Sequence, residues 1–127
     1  MEIQNDTVTI DTMILKVTVD SSIFTATIQN NATVTAFKAM LPLTIHMTEL
    51  NGNEKYYYFP GTLPANTSDT GTIHAGDLML YSNNCLVLFY KSFNTSYSYT
   101  RLGSITNTSG LAAALGNGNV TVRFELQ

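Results

Sequence analysis

Two apolar runs, Asp77–Tyr81 and Cys85–Tyr90, flank a short polar break that ends in Asn83-Asn84. Asparagine tolerates the left-handed backbone that a two-residue hairpin loop requires, so Asn83-Asn84 predicts a tight turn. The second run is apolar at every position. A strand of that kind has both faces covered and belongs at the centre of a sheet. This hairpin is the wall on which the rest of the chain is expected to pack.

Elsewhere apolar and polar residues alternate, the period of a strand with one covered face. Residues 13–19 put Met13, Leu15, Val17 and Val19 on one side. Asp20-Ser21-Ser22 turns the chain, and Phe24, Ala26 and Ile28 face inward on the return. Residues 43–49 carry Leu43, Ile45 and Met47 inward, and the following Asn51-Gly52 is a strong hairpin signal. Lys55–Phe59 is the return strand, closed by Pro60-Gly61. Residues 97–105 form a strand with Tyr97, Tyr99 and Arg101 on one face; residues 120–126 form the last, with Val120, Val122, Phe124 and Leu126 inward. Residues 1–12 are polar and read as a lead-in to a single domain over 13–127.

Helical spacing occurs before Pro42. Asn30 and Asn31 are good N-caps, and Val34, Phe37 and Leu41 share a face, joined by Met40. Thr33, Val34 and Thr35 are poor helix formers, so packing must hold this helix, and Pro42 ends it. A short helix over Leu111–Leu115 follows a candidate cap at Ser109 and stops at Gly116. Residues 61–75 make a long irregular loop and 91–96 a second one; long loops in compact domains are usually functional. Many strands, short turns and little helix predict a barrel or a sandwich.

The composition supports strands. Hydrophobic residues make up 44% of the 127 and charged residues only 12%, so Thr, Ser and Asn must cover the surface. Net charge is -3 with no Lys/Arg cluster, which argues against a nucleic-acid partner. No apolar run reaches the roughly 20 residues of a membrane helix, so no membrane span is expected. Residues 1–6 lack the basic start and apolar middle of an export signal. The expected location is the cytoplasm, or outside it if a signal has been removed. Asn-x-Ser/Thr triplets at Asn5, Asn31, Asn66, Asn94, Asn107 and Asn119 follow from the composition.

Candidate chemistry is sparse. The single cysteine, Cys85, begins a buried run with no cation beside it and reads as a small hydrophobe. His46 and Glu49 point to opposite faces of a strand and cannot chelate together. His74 lies near Asp77, which reads as a turn cap. No metal site and no cofactor are expected. Gly116-Asn117-Gly118-Asn119 precedes a strand rather than a helix and is not a phosphate loop.

The order hairpin, helix, hairpin, long loop, hairpin, strand, short helix, strand resembles the cyclophilin fold. The carrying residues are Phe24–Ile28, Leu41–Thr44, Glu54-Lys55, Ala75-Gly76-Asp77, Leu86–Tyr90 and Leu102–Ile105. The chain is most similar to the small bacterial and archaeal cyclophilin-like proteins. That resemblance implies a mainly β fold: a closed eight-stranded barrel with one helix and one short helix capping its ends.

True cyclophilins isomerise X-Pro bonds with an arginine on the strand before a Pro-Gly. Aligning that pair with Pro60-Gly61 puts Tyr57 in the arginine's place. The family's central-strand glutamine and phenylalanine fall near Leu86 and Leu88. Its cleft histidine aligns with Tyr99; its cleft tryptophan has no counterpart, Phe93 being the nearest aromatic. A phenol cannot supply the charged fork of a guanidinium, which argues against isomerase activity by that mechanism. The resemblance implies a cleft lined by Tyr57, Tyr81, Leu86, Leu88, Phe93, Tyr99 and Arg101. Aromatics with one fixed cation suit a peptide segment or a small acidic ligand. A binding domain is therefore the first expectation. A divergent prolyl isomerase or small-amide hydrolase, and a carbohydrate-binding β-sandwich module, are the alternatives.

Overall fold

Burial alternates along the first two strands and the last, one inner and one outer face each, as the sequence pattern requires. The computed structural model describes residues 14–127; the 1–12 lead-in and Met13 lie outside the described residues. The strands are β1 (Ile14–Val19), β2 (Ser22–Ile28), β3 (Leu43–Leu50), β4 (Glu54–Tyr58), β5 (Ser68–Asp69), β6 (Thr72–Ile73), β7 (Asp77–Tyr81), β8 (Cys85–Phe89), β9 (Phe93–Asn94), β10 (Ser98–Ile105) and β11 (Val120–Leu126). Two helices stand among the described residues, α1 (Ala32–Lys38) and α2 (Leu111–Leu115).

Eight strands run β2-β1-β11-β3-β4-β8-β7-β10, each antiparallel to the next, and β10 pairs back onto β2. The β2–β10 pairing closes a barrel and overturns the two-layer sandwich reading. Closure removes the open edges that invite aggregation. The seam is tight. A Cβ on Gly103 would run into the Thr27 carbonyl oxygen and lie 3.0 Å from Ile28 Cα, so only glycine lets the strands meet. Beside the seam, the Gln29 N–H donates to Leu102 O at 2.7 Å and Thr106 N–H to Thr25 O at 3.0 Å.

The barrel interior holds Leu15, Val17, Phe24, Ile45, Met47, Leu78, Leu80, Leu86, Leu88, Val122 and Phe124. In α1, the Asn31 side chain accepts from Val34 N–H at 2.8 Å and donates to Arg101 O at 3.0 Å, fastening the helix start to β10. Val34 and Phe37 are buried, and Phe37 meets Phe124 edge-on at 5.8 Å. Met40 is 37% exposed instead of joining that face, because the helix ends at Lys38. Leu126 is also exposed rather than inward. Gly110, not Ser109, caps α2, with a left-handed φ of 80°.

Two turns differ in kind. Asn51 and Gly52 both take positive φ, and Asn53 N–H returns to Leu50 O, as the sequence predicts. The β7–β8 loop has three residues, with Ser82 rather than an asparagine in the left-handed region. Asn83 and Asn84 instead offer their carbonyls to Leu63 N–H and Phe59 N–H, both at 2.8 Å, pinning the segment after β4. The long 61–75 loop is not irregular throughout: β5 adds to β10, and β6 pairs with β9 from the second loop.

One charged side chain is wholly inside. Lys55 is 0% exposed, and its Nζ donates to Glu49 Oε1 at 2.8 Å, Gly116 O at 2.8 Å and Gly118 O at 2.6 Å. It also sits 5.2 Å from the Tyr90 ring centroid. Tyr90 Oη donates to Glu49 Oε1 at 2.7 Å, and Gly52 N–H to Glu49 Oε2 at 2.6 Å. The Gly116–Asn119 segment thus turns carbonyls toward a cation, the reverse of an anion cradle. Burial alone would raise the Glu49 carboxyl, but the donors Lys55, Tyr90 and Gly52 outweigh it and hold it below its ordinary 4.5. Burial, then Glu49 itself, pushes the Tyr90 phenol up to about 12.

A carboxylate lowered on folding stabilises above its unfolded pKa and loses that contribution as pH falls through its folded value. Thermal melts are therefore expected to lose several degrees as pH drops below about 4.5. Glu49→Gln should be less stable at neutral pH and show a shallower acid decline. An equally steep decline in the variant would contradict the assignment.

Candidate functional site

The strand period sorts the side chains of four neighbouring strands onto two faces. On β8, Leu86 and Leu88 point into the barrel, while Cys85, Val87 and Phe89 belong to a second cluster outside it. On β7, Leu78 and Leu80 face in and Met79 faces out. On β4, Lys55 is buried within and Tyr57 packs against the inner core, so Glu54, Tyr56 and Tyr58 face out. On β10, Tyr99 joins the outer cluster and Leu102 the inner one. Ile73 of β6 and Phe93 of β9 pack onto the outer cluster and cover part of it.

What remains open beside that cover is a groove of about 390 Å³. Tyr56, Tyr58, Tyr81, Tyr97 and Tyr99, five of the chain's seven tyrosines, line it. One wall is Tyr56 against Tyr58, edge-on at 5.7 Å. The other is Tyr81 with Tyr97 at 6.0 Å and Tyr99 at 5.7 Å, backed by Phe89 at 5.6 Å from Tyr99. Cys85 and Val87 make the floor between them, and Tyr58, Tyr81 and Tyr97 remain exposed at the rim. The polar lining is Asn51, Asn53, Glu54 and Thr95. An apolar hollow with a few polar groups is the usual form of a small-ligand site.

The electrostatics are one-sided. Burial, and after it the Glu49 charge, raises the Glu54 carboxyl above the ordinary 4.5. Burial, followed by the Glu54 charge, pushes the Tyr99 phenol up to about 12. Burial also raises the Cys85 thiol, and the Glu54 charge adds to it against hydrogen bonds from Tyr58 and the backbone. This setting disfavours the thiolate, the form a nucleophilic cysteine uses. Among the described residues, no group of His, Cys, Asp and Glu is placed to hold a metal ion. No helix among them is long and apolar enough to cross a membrane.

The profile of the family described as the cyclophilin-like family matches residues 17–125. The chain belongs to the cyclophilin-like family. No curated protein matches it. Among solved structures it is similar to the solution structure of a hypothetical protein from Archaeoglobus fulgidus, with a TM-score of 0.56 at 18% identity. The likeness covers 91% of this chain and 95% of that one, and at such identity it speaks for the fold alone.

Within this cyclophilin-like domain the residues expected in the cleft do not converge. Tyr81, Phe93 and Tyr99 line the groove. Leu86 and Leu88 are 0% and 1% exposed inside the barrel, on the other side of the sheet. Tyr57 also turns inward, meeting Phe59 edge-on at 5.5 Å. Arg101 stacks on no tyrosine; its guanidinium lies 3.9 Å from the buried Asp77 carboxylate, beside a separate hollow with Asn31, Pro64 and Asn66. Asp77 caps its turn as the sequence predicts, accepting from His74 N–H at 2.8 Å. The expected cleft set lacked Glu54, Tyr56, Tyr58, Val87 and Tyr97. The cross-strand partnership of Glu49 with Lys55 across Asn51-Gly52 is the signal that would have found the three on β4. It sends Lys55 inward, and strand parity then sends Glu54, Tyr56 and Tyr58 out.

Proposed function

We propose that this cyclophilin-like domain is a binding module that holds a small ligand, or a single side chain of a peptide, in the outer tyrosine groove. The observation that carries this reading is the pair of tyrosine walls facing each other over Cys85 and Val87, with three exposed rings at the rim. Exposed aromatics clustered over a hollow are costly to leave in water and serve recognition. Peptide binding by strand addition is disfavoured here, because β4, β8, β7 and β10 already have neighbours on both sides. The outer face of β4 presents Glu54, Tyr56 and Tyr58, none of which offers the charged fork expected of a cyclophilin-type rotamase.

A fragment library screened by ligand-observed NMR tests the reading. Hits are expected on the wild type, and Tyr58→Ala/Tyr97→Ala should weaken them by about tenfold or more, which corresponds to about 1.4 kcal/mol. Both rings are more than half exposed, so the melting temperature should hold. Hits that bind both proteins equally, or a screen without hits, would overturn the proposal.

A further inference from the structure

The groove has a sign. No Lys, Arg or His lines it among the described residues. The nearest cation along the chain, Lys55, is committed inside the barrel to Glu49 and to the carbonyls of Gly116 and Gly118. Arg101 stands beside Asp77, and Arg123 donates to Glu125 at 3.2 Å and to Thr44 at 3.2 Å. Glu54 is thus a half-buried carboxylate without an ion-pair partner among the described residues. It lines the same hollow as Cys85 and Tyr99, whose thiol and phenol are raised first by burial and further by its negative charge.

A second feature shares that sign. Tyrosine ring faces carry negative potential and attract ammonium groups within about 6 Å of a centroid. Here tyrosine side chains line the hollow of about 390 Å³ on both sides of Cys85 and Val87. A carboxylate among aromatic rings is what an organic cation needs, and it repels the acidic ligand that Arg101 would have favoured.

Building on the binding reading above, we propose that the groove takes a small organic cation, an alkyl- or methylammonium, held by the tyrosine faces and the Glu54 carboxylate. The rings supply contact and quadrupole; Glu54 supplies most of the charge that separates a cation from its neutral isostere. The volume fits a free small molecule, and the paired strands beneath offer no backbone groups to an extended chain.

The probes are choline and its neutral carbon isostere, 3,3-dimethylbutan-1-ol, titrated against the full chain by NMR of the tyrosine rings. Choline should shift Tyr58, Tyr81 and Tyr97, and the isostere should bind about tenfold more weakly or worse. Glu54→Gln should shrink that difference to about threefold or less, the part the ring quadrupoles supply. It should not lower the melting temperature at neutral pH, because folding disfavours the charged form of a carboxyl whose pKa it raises. Equal binding of the two probes to the wild type would overturn the inference, as would choline binding unchanged by Glu54→Gln or no choline binding at all. In each of these cases the binding reading stands or falls separately, on the fragments and Tyr58→Ala/Tyr97→Ala. A peptide bearing trimethyllysine that binds at least about tenfold tighter than choline would overturn the small-molecule assignment and point to a protein partner.

Discussion

Lys55→Ala is expected to lower the unfolding free energy by about 3–5 kcal/mol, read from urea or thermal denaturation followed by circular dichroism. The loss does not come from removing an attraction alone. The ammonium is wholly buried and is the donor for the Glu49 carboxylate and for the carbonyls of Gly116 and Gly118. Without it, the Glu49 carboxylate keeps only its bonds from Tyr90 and Gly52, the two glycine carbonyls lose their donor, and a void replaces the lysine stem. Lys55→Met keeps most of the volume and should cost less. Adding Glu49→Gln to Lys55→Met removes the orphaned charge and should recover part of the deficit, a coupling that a double-mutant cycle measures directly. A Lys55→Ala protein within about 1 kcal/mol of wild type would mean that water can reach this site and that the buried ion pair does not hold the barrel end together.

The second large effect belongs to the seam. Gly103→Val should cost about 3 kcal/mol or more, at the upper end of overpacking substitutions. The obstacle is backbone: the added carbon meets the Thr27 carbonyl and lies 3.0 Å from Ile28 Cα and 3.1 Å from Ile28 Cγ2. A flexible side chain could move aside, whereas a strand that must stay paired cannot. The damage should be local first. Hydrogen exchange at the Gln29 and Thr106 amides, which bond across the seam, should accelerate ahead of the β3–β11 amides on the far side of the barrel. Uniform acceleration would contradict a closure held at this pair of strands.

Much of this architecture is legible in the residues. The gap-free apolar run of β8 shows that both its faces are covered, because no polar position is left for solvent. Asn51-Gly52 names its own hairpin, since only residues tolerant of positive φ fit there. Which face looks where is harder. In a fully apolar strand, Leu86 and Val87 look alike, and a one-residue change of parity exchanges barrel interior for outer groove. The run Tyr56-Tyr57-Tyr58 carries no alternation at all, so the Pro-Gly alignment put the inward ring in the cleft. The pieces β5, β6 and β9 are two residues each and exist only through partners far along the chain, beyond the reach of any local period. Ser82, just before the two asparagines, takes the left-handed position, while the Asn83 and Asn84 carbonyls hold residues 63 and 59.

The sign of the site followed the same logic. Arg101 shares the outer side of the sheet with Tyr99, yet its guanidinium lies beside the buried Asp77 carboxylate on the adjacent strand β7 and does not line the groove. Once that cation is spoken for, the groove is left with Glu54 and rings, and its chemistry reverses.

Methyl-resolved NMR with any fragment that binds is the most direct check, because Leu86, Val87 and Leu88 are consecutive residues on opposite faces of one strand. A ligand in the outer groove should shift the Val87 methyls strongly and those of Leu86 and Leu88 little. Strong shifts at Leu86 and Leu88 with Val87 unmoved, or shifts confined to the hollow beside Asn31 and Arg101, would contradict an outer tyrosine site.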